Sequence, residues 1–550
     1  MTMKRAEGNY HNKRMFEFGE RIGWELQNVD EKLINDFCSR IGIKKRVLKV
    51  WLHNNKKEKN QPTTDTLPEG AIHKILSNLN YVEASRMTIL SRTWLQAWLT
   101  NPNLLFEACS GAETRAEWST RGKIDIDIVD KIMKRYRDEK IPIDKFELSI
   151  DIGKPTGYIF FSIDKWFDIA LQNGVSELVY RNVGYYSSFN IFKMLTAKHL
   201  RELVLENCNL VYFSSLPTSY VGNCHSLRKL SLNNVTLDDN MLQGLLNNYP
   251  LIDNLIILYC RGWIKFEVRN LQNIRSLHIM IEKKQSVEIE APTLEYLSYS
   301  SYSLDELDIV EYPNLESLEL SGSFASRKFK IGRSESLRVL KIKNLRINNC
   351  QKIEVDAPNL VSLEYEGNYL PQLKLAKESG KFKNLIFNSN KHFLDDKWFC
   401  RLMEFLSNST SWSQVSIQVS VDIYRCGEIN MEHLKRHYRV STPQVDVLDV
   451  IIEPRDDLAT CVDALLWCFR PRRLNISSSF KMIIYLVNRL LYMKNSSDST
   501  SHENEPQLVQ LKEVRSYKFD GKNESWHPVK PKSMKLKTGD PNNMEKFYFL

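Results

Sequence analysis

The stretch LRELVLENCNL, residues 200–210, decides how the chain is read. Leu200, Leu203 and Leu205 stand in the spacing L-x-x-L-x-L, and Cys208 and Leu210 continue the apolar series. The alternation of Leu203 and Leu205 fits a short strand with one buried face, because successive side chains of a strand point to opposite sides. Copies of the phrase begin at Val175, Leu227, Ile252, Ile274, Leu294, Leu315, Leu337, Leu360 and Phe382. Counted from Val175 with Leu200 included, the steps are 25, 27, 25, 22, 20, 21, 22, 23 and 22 residues. Weaker copies start at Ile143 and Trp412. A single short strand cannot bury its apolar face, so the copies must stack into one continuous core.

This period and phrase form a leucine-rich-repeat pattern. It predicts an α/β fold over residues 143–420, a curved solenoid with a parallel sheet on its concave side. Uneven steps predict irregular convex connections in place of uniform helices. In YPNLESLEL and APNLVSLEY, Pro313 and Pro358 precede the strand, where a missing N–H costs no ladder bond.

The rest of the composition narrows the class. The chain has 550 residues, 42% hydrophobic and 26% charged, too long for one ordinary core and balanced like a soluble protein. Its net charge of +9 is uneven: residues 1–60 hold 14 Lys/Arg against 8 Asp/Glu, and residues 470–550 hold 15 against 8. The basic N-terminal block is compatible with phosphate contacts, whereas the slightly acidic middle gives no reason to expect a polyanion. Ten scattered cysteines without a C-x-x-C pair suggest neither a zinc ribbon nor a disulfide framework. The most apolar late stretch, FKMIIYLVNRLLYM, is broken by Lys481, Asn488 and Arg489 and is short for a bilayer span. A soluble, intracellular protein without membrane contact is expected.

Ahead of the repeats, after the polar linker at 61–66, residues 67–106 read LPEGAIHKILSNLNYVEASRMTILSRTWLQAWLTNPNLLF. Pro68 suits a helix start, and Ile72, Ile75, Leu76 and Leu79 form an apolar stripe after it. Met87, Leu90, Trp94 and Trp98 form another, and so short a segment must pack on a neighbouring domain or a partner. Leu67, Pro68, His73, Ile75, Leu76, Ser77, Leu79, Ala84, Leu90, Ser91, Trp94, Trp98, Leu104 and Phe106 fit the plant F-box motif. The segment 67–107 therefore resembles an F-box, with Thr93 where the family commonly has a basic residue. The resemblance implies docking on a Skp-type adaptor, and through it a cullin, by Leu67, Pro68, Ile72, Ile75, Leu76, Leu79, Leu90 and Trp94. It also implies a helical linker over 108–142. A looser resemblance to the C-terminal FBD-type region of such proteins covers 421–550, and KNSSDSTSHENEPQ suggests a disordered loop at about 494–506.

The first sixty residues carry a different signature. Met15, Phe18 and Ile22 have helical spacing, as do Leu33, Ile34, Phe37, Cys38 and Ile41 after the capping candidate Asp30 and before the stop signal Gly42. In KKRVLKVWLHNNKKE, Leu48, Trp51, Leu52 and Asn55 share one helical face. Val50, His53, Asn54 and Lys57 share another, mostly polar, which suits the major groove. The words DFCSRIGIKKRVLKVWLHNNK resemble the homeodomain of plant zinc-finger homeodomain proteins. That resemblance makes Asn54 the adenine reader, Val50, His53 and Lys57 its groove-facing neighbours, and Lys56 a backbone contact. It begins near Lys13, without the family's zinc finger, basic arm or first part of helix 1, so residues 1–60 are expected to form a partial homeodomain.

No Walker loop, G-x-G-x-x-G, H-E-x-x-H or G-x-S-x-G motif is present, so no catalytic residue, metal ligand or cofactor is assigned. Asp125, Asp127 and Asp130 alternate with Ile124, Ile126 and Ile128, which fits half-buried structure beside a helix better than a carboxylate site. The combined expectation is a non-catalytic substrate adaptor of an SCF-type (Skp–cullin–F-box) ubiquitin ligase, with an unidentified target protein on the concave repeat face. The rival is a homeodomain regulator of transcription that uses the remainder as an interaction platform. The first fits nucleus or cytoplasm, the second the nucleus.

Overall fold

The structure, a computed structural model, describes residues 14–55, 67–110, 124–210, 226–301, 312–322, 328–344, 352–375, 384–389, 396–406, 411–419, 429–437, 444–452, 459–478, 485–489, 516–520, 525–529 and 545–549, with short gaps inside some ranges. The linker at 61–66 and the loop expected at 494–506 lie outside the described residues. The chain divides into two compact units, Met1–Thr236 and Leu237–Leu550.

In the first unit, helical residues at 14–15, 17–19 and 21 precede helix α1 (Glu31–Ile41) and α2 (Lys45–Asn55). The F-box-like segment supplies α3 (Glu69–Leu76), α4 (Tyr81–Met87) and α5 (Arg92–Leu99). A parallel ladder then runs through Asn103–Ser110, Lys145–Ile152, Glu177–Asn182, Glu202–Glu206 and Lys229–Asn233. In register, Leu104, Phe146, Leu178, Leu203 and Leu230 form one buried row. Phe106, Leu148, Tyr180, Leu205 and Leu232 form the second. The two strand leucines of the repeat phrase thus become two continuous walls of core. The sheet already starts at Asn103, so Leu104 and Phe106 belong both to the F-box pattern and to the first strand.

Helices α6 (Ile126–Glu139) and α7 (Gly157–Gln172) are return segments between the first strands of this unit. The Ile/Asp alternation at its start resolves into a two-residue strand, Ile124–Asp125, and a helix capped by Asp125, whose side chain accepts from the Asp127 N–H. Ile124 and Ile126 are buried, while Ile128 is exposed. After the strands, Asn207 and Asn234 take left-handed backbone angles, φ 56° and 51°. Their amides form a ladder: Asn234 Nδ2 donates to Asn207 Oδ1, and Asn207 Nδ2 donates to the Asn182 carbonyl, each at 2.6 Å. Asparagine tolerates this backbone region better than other side chains with a Cβ, and its amide satisfies groups that the turn leaves open.

The second unit repeats the scheme from Asn254–Leu258 to Arg470–Ser478, with every successive pair in the main ladder parallel. Residues beyond the expected end at 420 therefore continue the ladder, through Gln444–Ile452 and Arg470–Ser478. There the order reverses, and Glu545–Phe549 pairs antiparallel with Arg470–Ser478. The return segments vary with the length of the step. Helix α8 (Asp239–Asn248) fills a step of 25 residues. Steps of 20–23 residues hold short strands instead: Lys265–Val268 pairs with Ser286–Ile289, and Lys352–Val355 lies between Lys328–Ile331 and Gln372–Leu375. A strand covers about 3.3 Å per residue and a helix about 1.5 Å, so a short step crosses the core only in extended form. Helices return in the longer steps as α9 (Asp396–Leu406), α10 (Met431–His437) and α11 (Ala459–Cys468).

Candidate adaptor-docking and DNA-reading surfaces

Three short helices build the first surface. Pro68 is the cap residue of α3, and its carbonyl accepts from the Ala71 and Ile72 N–H groups at 2.9 and 3.2 Å. A reciprocal capping box of Asn80 and Glu83 starts α4, and the Ser91 hydroxyl accepts from the Trp94 N–H at the start of α5. His73 ties α3 to the end of α5: its Nε2 lies 3.0 Å from the Ala97 carbonyl and 3.4 Å from Thr100 Oγ1.

This packing divides the eight residues that the resemblance assigns to adaptor docking. Ile72, Leu76 and Trp94 are buried inside the chain with Ala84 and Ala97. Leu79 and Leu90 are half-buried against that core. Leu67, Pro68 and Ile75 face outward, Leu67 at 37% and Ile75 at 41% exposure. Leu95, absent from the expected set, is 40% exposed on α5. Its phase was legible: Trp94, Ala97 and Trp98 hold the inward stripe, which turns Leu95 out.

An aromatic series fixes these helices to the sheet. Tyr81 of α4 lies 5.2 Å from Trp98 and 5.1 Å from Phe106 between ring centroids. Phe106 meets Phe146 at 6.0 Å, Phe146 meets Phe167 at 5.8 Å, and Phe167 meets Tyr180 at 5.6 Å. The last three contacts are edge-on, the favoured arrangement of ring quadrupoles. Part of the surplus apolar surface of the F-box-like segment is thus buried on the first strands of the repeats.

Between α6 and α7, Asp130 accepts from Lys165 at 3.1 Å and from Trp166 Nε1 at 3.2 Å, and pairs with Lys134 at 3.0 Å. Burial alone would raise its carboxyl pKa, but these donors outweigh burial and hold it down at about 2, from 3.8. Its contribution to stability is complete above the unfolded value and is lost as pH falls from about 4 towards 2. We expect Asp130→Asn to cost about 2 kcal/mol in urea unfolding at pH 7. The gap from the parent chain should narrow through that acidic window.

The second surface is α2. Leu48, Trp51 and Leu52 are buried with Met15, Phe18, Ile34, Phe37, Cys38 and Ile41. Phe18 stacks on Phe37 at 3.8 Å, and Asp30 caps α1 by accepting from the Lys32 N–H at 2.9 Å. Leu33, one of the helically spaced apolar residues of α1, is 37% exposed. Val50 is 45% exposed, on the side of α2 away from the core residues. His53 and Asn54 are in the last turn of the same helix, with Asn54 four residues after Val50. Lys56 and Lys57 lie outside the described residues, as does Gly42.

On the outward face of the parallel ladders, charges pair along and between strands. Glu147 lies between Lys145 and Arg181, Lys229 pairs with Glu202 at 3.0 Å, and Lys343 with Glu319 at 2.9 Å. Among the described residues, no group of three His, Cys, Asp or Glu side chains is placed to hold a metal, and no helix is long and apolar enough to cross a membrane.

Comparison with known proteins gives matches of three kinds. Residues 132–323 match the family model described as At1g61320/AtMIF1, LRR domain. The chain is 25% identical over 237 residues to F-box protein At5g03100 of Arabidopsis thaliana, covering 43% of this chain and 69% of that protein. It is 60% identical over 43 residues to zinc-finger homeodomain protein 4 of Oryza sativa subsp. japonica. It is also 53% identical over 47 residues to zinc-finger homeodomain protein 10 of Arabidopsis thaliana. Each of these two matches covers 8% of this chain, and they span only 10% and 14% of the homeodomain proteins themselves.

Proposed function

Because the chain is an F-box/leucine-rich-repeat protein of the plant type with a zinc-finger-homeodomain-like N-terminal segment, we propose that it is the substrate adaptor of an SCF-type ubiquitin ligase. The observation that carries this reading is the division of the F-box stripe. Ile72, Leu76 and Trp94 hold the helices together, and Leu67, Pro68, Ile75 and Leu95 leave apolar surface on their outside. A Skp-type adaptor, bridging to a cullin, is the partner of that surface. The target protein binds the outward face of the parallel sheet. The chain supplies no chemistry of its own in this scheme; it contributes proximity and orientation, and the aromatic series from Tyr81 to Tyr180 makes that orientation stiff. The test is co-purification with a plant Skp-type adaptor. The parent chain retains it, and Leu67→Ala/Pro68→Ala loses it. Equal retention by the double variant would remove the basis of the reading.

A second activity is favoured by the exposure of Val50 on a helix whose opposite side is fully packed. We propose that α2 reads duplex DNA through the face bearing Val50, His53 and Asn54, with Lys56 and Lys57 adding phosphate and groove contacts. Asn54→Ala should lower affinity for an adenine-containing site by about 1–3 kcal/mol and flatten sequence preference, measured by fluorescence anisotropy at low salt. Binding that survives the substitution and falls steeply with salt would mark non-specific phosphate contact instead.

A further inference from the structure

The N-terminal bundle is short of core. Among the described residues, nine buried side chains close it, and none of its described helices exceeds 11 residues. Chains of this size seldom fold stably without added support. The structure supplies a further apolar residue from outside the bundle. Ile89, in the turn between α4 and α5, packs against the cluster of Met15, Phe18, Phe37, Leu48 and Trp51 alongside the bundle's own Ile22 and Ile43. That turn is held firmly on the F-box side: the Thr88 hydroxyl donates to the Ser85 carbonyl at 2.7 Å, and the Leu90 N–H to the Met87 carbonyl at 3.0 Å.

We infer that the F-box turn at Ile89 is a docking seat for the N-terminal bundle, so that α1 and α2 fold as an extension of the F-box and not as an independent domain. The core-facing side of the bundle is where the seat engages, and Val50 on the far side of α2 stays exposed. Resting on the functions proposed above, the seat has a regulatory consequence. A ligand that stabilises the F-box protects α2 from opening, and by linkage DNA held on α2 stabilises the F-box.

Hydrogen exchange on the full-length chain tests the seat without needing either partner. In Ile89→Ser, amides of α1 and α2 should exchange about tenfold faster than in the parent, while the repeat strands keep their protection. Ile89→Val should stay near the parent. The reciprocal variant Phe37→Ala should quicken exchange at residues 88–90. Unchanged exchange of α1 and α2 in Ile89→Ser, together with an unaffected turn in Phe37→Ala, would overturn the inference. If Ile89→Ser also loosens α3–α5, the Phe37→Ala result decides: a quickened turn upholds the seat, and an unaffected one overturns it.

Discussion

Phe146→Ala is expected to cost about 3–5 kcal/mol of stability, a large share of what holds a domain of this size together. Phe146 is fully buried in the second strand of the ladder, with Phe106 on one side and Phe167 on the other. Removing the ring opens a cavity that neighbouring rings cannot readily fill, because Phe106 is already packed against Tyr81 and Phe167 edge-on against Tyr180. The site also lies between the F-box helices and the repeats, so the loss should reach both. The urea midpoint followed by far-ultraviolet circular dichroism should fall, and hydrogen exchange, read separately in α3–α5 and in the strands Asn103–Ser110 to Glu177–Asn182, should quicken in both. A loss below about 1 kcal/mol, or quickened exchange in one part alone, would mean that the aromatic series does not join the two parts.

Ile75→Asp is expected to weaken adaptor binding by at least about a hundredfold while leaving the fold in place. Its 41% exposure puts it outside the three-helix core, so a carboxylate there stays hydrated in the free chain. In the complex the same carboxylate would be desolvated against an apolar partner, at a cost of several kcal/mol. Leu76→Asp provides the contrast. One residue further along the helix, at 0% exposure, it should unfold the F-box helices and lose binding for a different reason. Circular dichroism and thermal unfolding separate the two. If Ile75→Asp binds as well as the parent, the exposed side of α3 is not the docking surface.

Much of this was legible because repetition amplifies a weak signal. One copy of L-x-x-L-x-L says little, but copies at steps of 20–27 residues require stacked strands, and Leu203 and Leu205 stand in the two rows expected of them. The ends of the array were harder. Asn103–Ser110 looked like the tail of the F-box because Leu104 and Phe106 satisfy that pattern as well as a strand's alternation. At the other end, Val415, Leu448 and Leu474 continue one buried row, but the gaps between them, 33 and 26 residues, depart from the earlier rhythm. Periodicity loses its force where the period changes.

At the docking surface, spacing identified a stripe without dividing it. Ile72, Ile75, Leu76 and Leu79 satisfy one helical pattern, yet only the packing of α3 against α5 decides that Ile72 and Leu76 turn in and Ile75 turns out. The contact of Ile89 with the N-terminal bundle had no sequence signal, because nothing in a residue's own periodicity states which distant core it will touch.

The central claim, that this chain is an adaptor held by its F-box, is tested most directly by titrating the purified full-length chain with a purified plant Skp-type adaptor and measuring heat or anisotropy. The account predicts saturable one-to-one binding at about micromolar Kd or tighter, abolished by Ile75→Asp and unaffected by Asn54→Ala. A cooperatively folded chain that shows no binding at concentrations well above that range, or binds equally after Ile75→Asp, would contradict it.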